Sequence, residues 1–112
     1  MEITIRIVGK CKILDCKGRL TLGPATAALR KTVREAVQDG TSKLVLNLAG
    51  VTYIDSSGIG EMISGYTHLK NLGGNMSLLN LNENNHKLLI IAKLHVIFDI
   101  FDDEQKAFKG CE

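Results

Sequence analysis

The sequence contains no tryptophan, a single proline and few aromatic residues, which make up 4% of the chain. Its core must therefore be filled by aliphatic side chains, chiefly Leu, Ile, Val and Ala, within the 45% of residues that are hydrophobic. No charge of one sign dominates: 14 Lys and Arg face 12 Asp and Glu, a net charge of +2. The basic residues are scattered, with only Arg30 and Lys31 adjacent, so there is no basic stripe of the kind nucleic acid requires. No apolar run approaches the ~20 residues of a membrane span. No N-terminal segment joins a basic start to a long apolar run, as a signal peptide does. These absences lead to the expectation of a cytoplasmic protein. Cys11, Cys16 and Cys111 are odd in number and lack metal-ligand spacing, so reduced thiols are expected in that compartment.

A length of 112 residues suits one domain, here taken as residues 1–112. Ile3, Ile5 and Ile7 alternate with polar residues, the pattern of a half-buried strand. Gly9-Lys10 makes a turn, and Cys11 to Cys16 reads as a hairpin partner. Gly18 to Gly23 reads as a loop. Pro24 suits a first helical turn, where a missing N–H costs nothing. Leu29, Val33, Ala36 and Val37 then form an apolar stripe that Gly40 stops. Lys43 to Leu48 reads as a central strand buried on both faces. In the next helix, from about Ser57 to Leu72, residues Ile59, Met62, Ile63, Tyr66 and Leu69 share one face. Gly73-Gly74 ends it. Met76 to Leu81 reads as a strand, and Asn82 to Asn85 as a polar turn able to cap a helix running to about Lys93. Val96 to Phe101 reads as a last strand. Asp102 with Gln105 resembles a capping box for a helix ending near Gly110. The alternation calls for an α/β fold: an N-terminal β-hairpin, a mixed, mostly parallel sheet of four or five strands, and about four helices.

The stretch Val51-Thr52-Tyr53-Ile54-Asp55-Ser56-Ser57-Gly58-Ile59-Gly60 joins the central strand to the helix behind it. Functional sites of open α/β sheets collect at such junctions, and a helix start suits an anion. Ser56 offers a hydroxyl there, and either serine could instead cap the helix. Gly58 and Gly60 remove side chains where a partner must come close. Asp55, Ser56 and His68 are residue types of a catalytic triad, but no Gly-x-Ser-x-Gly elbow surrounds either serine. His68 stands roughly 18 Å along the helix at 1.5 Å per residue, out of reach of Ser56. His86 and His95 read as surface residues. Gly58-x-Gly60 lacks a third glycine, since position 63 is Ile63, and no Gly-Lys-Ser/Thr phosphate loop is present. Asp102, Asp103 and Glu104 read as acids at a helix N-terminus and not as metal ligands. Neither metal nor cofactor is expected, nor is catalysis.

With the strand ending Asn47-Leu48, the Asp55-Ser56-Ser57-Gly58 junction, the loop Gly18-Arg19-Leu20, Leu78 to Leu81 and Phe98 to Phe101, nearly the whole chain resembles STAS domains. More narrowly it resembles the bacterial anti-sigma factor antagonists. That resemblance implies a single STAS domain that is the substrate of an anti-sigma factor serine kinase. Binding to this kinase releases sigma factor, phosphorylation of Ser56 ends the binding, and a PP2C-type phosphatase restores it. The implied partner surface comprises Thr21, Asp55, Ser56, Ser57, Gly58, Ile59, Gly60 and Glu61. Thr21 stands where many antagonists carry an aspartate. The same domain type would also serve as a scaffold in a larger signalling assembly, or as the STAS subunit of a lipid-transport ATPase complex.

Overall fold

The computed structural model describes all 112 residues. β1 (Glu2–Val8) and β2 (Cys11–Leu20) form the expected antiparallel hairpin. α1 (Pro24–Gln38), β3 (Lys43–Ile54), α2 (Ser56–Asn71), β4 (Asn75–Leu79), α3 (Glu83–Ile91), β5 (Ile100–Phe101) and α4 (Glu104–Ala107) come next in the chain. One five-stranded sheet runs in the order β1-β2-β3-β4-β5, and every pair after the hairpin is parallel. Each parallel pair is joined across a helix, as parallel strands require.

The sheet buries its two faces unequally. Leu14, Leu44, Leu46, Leu48, Met76 and Leu78 project into a main core with Leu29 and Val33 of α1 and Met62 and Leu69 of α2. Met62 is fully buried, and Ile59, Ile63 and Tyr66 pack half-buried beside it. Cys11, Ile13, Val45 and Leu79 face the other way, against Ala107 and Cys111. On that second face a polar row crosses the sheet. Arg6 Nε and Nη2 donate to the Asp15 carboxylate at 2.6 and 2.9 Å, and Asn47 Nδ2 donates to Asp15 Oδ1 at 2.7 Å. Arg6 Nη2 also donates to Glu104 at 2.7 Å, which fastens α4 to the sheet.

Several boundaries differ from those expected from sequence. β2 continues to Leu20 and β3 to Ile54, because Gly18 pairs with Val51 after one register shift, and Arg19 and Leu20 pair with Tyr53 and Ile54 after a second. Gly18 to Leu20 is thus strand, and the loop is confined to Thr21–Gly23. β4 ends at Leu79, since Asn80 takes a positive φ of 60°. The apolar stretch Val96 to Phe101 is mostly not strand. Lys93 turns the chain at φ 60°, and residues Leu94–Val96 form a single 3-10 turn. Leu94 and Phe98, one helical turn apart, are the buried anchors there, while Val96 and Ile97 are exposed. Asp103 and not Asp102 caps α4, accepting from the Gln105 N–H at 3.0 Å. That helix stops at Ala107 so that the chain can turn back to the sheet.

The cysteines depart from expectation. Cys11 and Cys111 form a disulfide with their Cα atoms 5.3 Å apart, tying the C-terminal turn to the start of β2. Closing a loop of that sequence separation removes unfolded-state entropy worth about 4–5 kcal/mol. Cys16 remains a free thiol, buried, with its pKa pushed up to about 12 chiefly by desolvation.

The Arg6–Asp15 pair makes stability depend on pH. The guanidinium holds the Asp15 carboxyl below its ordinary 3.8, and Asn47 adds to this. A lowered native pKa means that protonation costs the folded state more than the unfolded one. The contribution is therefore complete above 3.8 and is lost as pH falls through the lower native value. Asp15→Asn should lower the urea midpoint at pH 7 and shrink the loss between pH 7 and pH 3. An unchanged acid limb in urea titrations of the mutant would show that the pair carries none of it.

Candidate functional site

The chain enters the site as two adjacent parallel strands, β2 and β3, reach their C-terminal ends at Leu20 and Ile54. The next residue on β3 is Asp55, and its carboxylate organises the turn into α2. Asp55 Oδ1 accepts the Gly58 N–H at 2.8 Å, capping α2. Asp55 Oδ2 accepts the Leu22 N–H at 3.0 Å, from the loop between β2 and α1. The Asp55 N–H in turn donates to the Leu20 carbonyl at 3.2 Å. One residue thus clasps the neighbouring loop on both sides of Thr21. These backbone N–H groups, Gly58 first and Leu22 next, hold the Asp55 carboxyl below the ordinary carboxylate range.

This assignment corrects the cap expected from sequence. Neither serine caps α2 with its side chain, because Asp55 holds that position. Ser56 is the first helical residue and is exposed, whereas Ser57 is half-buried. With the cap supplied next door, the Ser56 hydroxyl stands at a helix N-terminus with no intramolecular bond to break.

The other residues singled out from sequence separate into two groups. Thr21, half-buried, lies beside Asp55 within the clasped loop, and Gly60 is exposed with nothing within 4 Å of where a Cβ would stand. Gly58, by contrast, is buried. A Cβ there would collide with the Leu20 carbonyl oxygen and lie 2.8 Å from Leu20 Cγ, so the glycine serves contact between α2 and β2. Ile59 packs half-buried against the main core. Glu61 turns to α1, where Arg30 Nη2 donates to it at 2.7 Å, and its side chain is only 10% exposed. His68 lines a cleft of about 180 Å³ between α1 and α2 with Arg30, Arg34 and Ser64, apart from the serines.

Three residues at this end of the sheet escaped notice as individuals in the sequence. Leu22, 76% exposed, is an apolar tip on the clasped loop. Tyr53 is half exposed, and the Arg19 guanidinium lies 4.9 Å from its ring centroid. Leu22 thus sets an apolar tip beside the turn that Asp55 holds, whereas Arg19 and Tyr53 form a cation–π pair near the ends of β2 and β3. A leucine in a loop otherwise made of Thr and Gly was the available signal for Leu22. The Arg19–Tyr53 pair required the β2–β3 register.

Comparison with known proteins agrees with this fold. The family model for the STAS domain matches residues 2–107. An anti-sigma F factor antagonist of Paenibacillus polymyxa is 32% identical over 85 residues, 75% of this chain and 73% of that protein. A solved structure from Thermotoga maritima superposes with a TM-score of 0.90 at 24% identity, covering 97% of this chain and 93% of that one. The Bacillus cell fate determinant SpoIIAA in its phosphorylated form superposes with a TM-score of 0.76 at 20% identity, covering 96% and 97%.

The two site glycines should respond differently to substitution. Gly58→Ala must displace Leu20 and should destabilise the fold by about 1–3 kcal/mol. Gly60→Ala meets open space in a helix and should be neutral or stabilising by up to about 1 kcal/mol. Equal denaturation midpoints for the two variants would contradict the assigned packing of Gly58.

Proposed function

The chain belongs to the STAS domain family, and we propose that within it this protein acts as an anti-sigma factor antagonist, a binding module switched by phosphorylation of Ser56 and not an enzyme. The observation that carries this reading is the division of labour at the turn: Asp55 caps α2, which leaves the Ser56 hydroxyl exposed. A kinase can then reach the oxygen without unwinding the helix. The antagonist named among the relatives, and the phosphorylated form in which SpoIIAA is known, support the same reading. The partners are an anti-sigma factor serine kinase and a PP2C-type phosphatase, and the setting is the cytoplasm. No helix is long and apolar enough to cross a membrane.

The partner would rest on the exposed Leu22, Tyr53 and Ser56, the half-buried Thr21 and the open backbone at Gly60, all at this end of the sheet. The Gly60 surface lets another chain approach closely. Glu61, committed to Arg30, would orient α1 against α2 more than it would meet the partner.

In the phosphorylation step the Ser56 oxygen bonds to the γ-phosphorus of ATP, the bond to the leaving ADP oxygen breaks, and the hydroxyl proton passes to the kinase. The product carries about −1.5 to −2 charges at neutral pH. The α2 N-terminus accommodates that charge through its dipole and unpaired N–H groups. At the interface it would be desolvated beside Asp55, which is already negative. A penalty of about 3 kcal/mol would weaken binding more than a hundredfold, since each 1.4 kcal/mol is tenfold.

Mass spectrometry after incubation with the cognate kinase and ATP tests the assignment. Phosphate is expected on Ser56, and Thr21→Asp should change the rate by placing a carboxylate beside the turn. Phosphate on Ser57 alone, or on neither serine, would overturn the assignment.

A further inference from the structure

β1 is an edge of the sheet, bonded to β2 on one side only. Its pairing with β2 is regular from Glu2 to Val8, with no register shift. It contains neither proline nor lysine, two residues that commonly blunt exposed edges. The helices do not cover it either, for Ile5 is 49% and Ile7 71% exposed. An unprotected apolar edge of this length is a template for another strand.

The residues on β1 indicate which strand. Run antiparallel to itself about Thr4, the segment Glu2-Ile3-Thr4-Ile5-Arg6 is complementary to its own copy. Thr4 would oppose the partner's Thr4, Ile3 the partner's Ile5, and Glu2 the partner's Arg6. The even-numbered residues share the α4 face, and the isoleucines share the other. Glu2 is exposed and enters no ion pair within the chain, while Arg6 bonds Asp15 and Glu104 through Nε and Nη2, leaving Nη1 for another acceptor. Other symmetric registers lose this match. Centring on Ile5 sets Glu2 against Val8, and centring on Arg6 sets the guanidinium against its own copy.

We propose that β1 is a self-association edge, through which two copies of this chain join antiparallel about Thr4 into one continuous sheet with two symmetric Glu2–Arg6 ion pairs. The contact is isologous, the same patch on both copies. One strand per copy buries less than the roughly 800 Å² per partner of a standard interface, so the dimer is weak and concentration-dependent. It lies at the sheet edge and leaves the Ser56 turn open, so it stands independently of the proposed switch.

Analytical ultracentrifugation of the full chain up to roughly 0.5 mM, the regime of weak complexes, tests association. The average mass should rise from 12.2 kDa toward twice that value. Glu2→Arg, at an exposed position, should weaken association at least tenfold by opposing two guanidiniums. Directly opposed residues of antiparallel strands have Cα atoms about 4.5–5.5 Å apart, within disulfide range. Thr4→Cys should therefore cross-link to its own copy in a glutathione buffer, and Ile5→Cys should not. A constant monomer mass, an unweakened Glu2→Arg variant, or cross-linking through Cys at position 5 and not at position 4 would each overturn the proposal.

Discussion

The Asp55 carboxylate is the interaction on which this end of the molecule depends. It receives one N–H from its own helix and one from the loop of the preceding crossover, at 2.8 and 3.0 Å. Both bonds favour the ionised form, so the carboxylate remains charged well into acid. Without it, α2 would lose its cap, and the Thr21 loop would lose the anchor beside the helix start. Because aspartate does the capping, serine need not. The position directly after it therefore carries an exposed hydroxyl that the helix cap does not use.

The strands deliver the turn to this place. β3 is buried through Leu44, Val45 and Leu46, and β2 accompanies it as far as Ile54. The shared length of these two strands brings Leu20 and Asp55 within hydrogen-bonding distance. The opposite face is held by different means. Its apolar cluster is small, and the Cys11–Cys111 disulfide and the Arg6–Asp15–Asn47 row add to it. Such a bond is uncommon in reducing compartments, and its two sulfurs belong to fully buried residues, away from small thiols.

The sequence displayed the fold class clearly because periodicity reports which face of an element is buried. Ile3 to Ile7 and the α1 stripe were readable in this way. The ends of β2 and β3 were hidden, since Gly18 and Gly50 interrupt the alternation beside the two register shifts of that pairing. The run Val96 to Phe101 misled for a related reason: apolar residues spaced as a helical turn also satisfy a short strand pattern. The disulfide was invisible because its cysteines are 100 residues apart and spacing reveals no such pairing. At the site, the Asp-Ser-Ser-Gly junction was legible as a helix start. Which residue capped it was not, because aspartate and serine both serve, and only the Asp55 contacts with Gly58 and Leu22 decide between them.

The proposed switch requires that phosphate on Ser56 block an interface and leave the domain folded. Isothermal calorimetry of the unmodified and the Ser56-phosphorylated protein against the anti-sigma partner is the decisive experiment, with circular dichroism of both forms alongside. The expected result is a loss of affinity exceeding a hundredfold, the equivalent of about 3 kcal/mol, with superimposable spectra. Equal affinity of the two forms, or a phosphorylated form that unfolds, would contradict it.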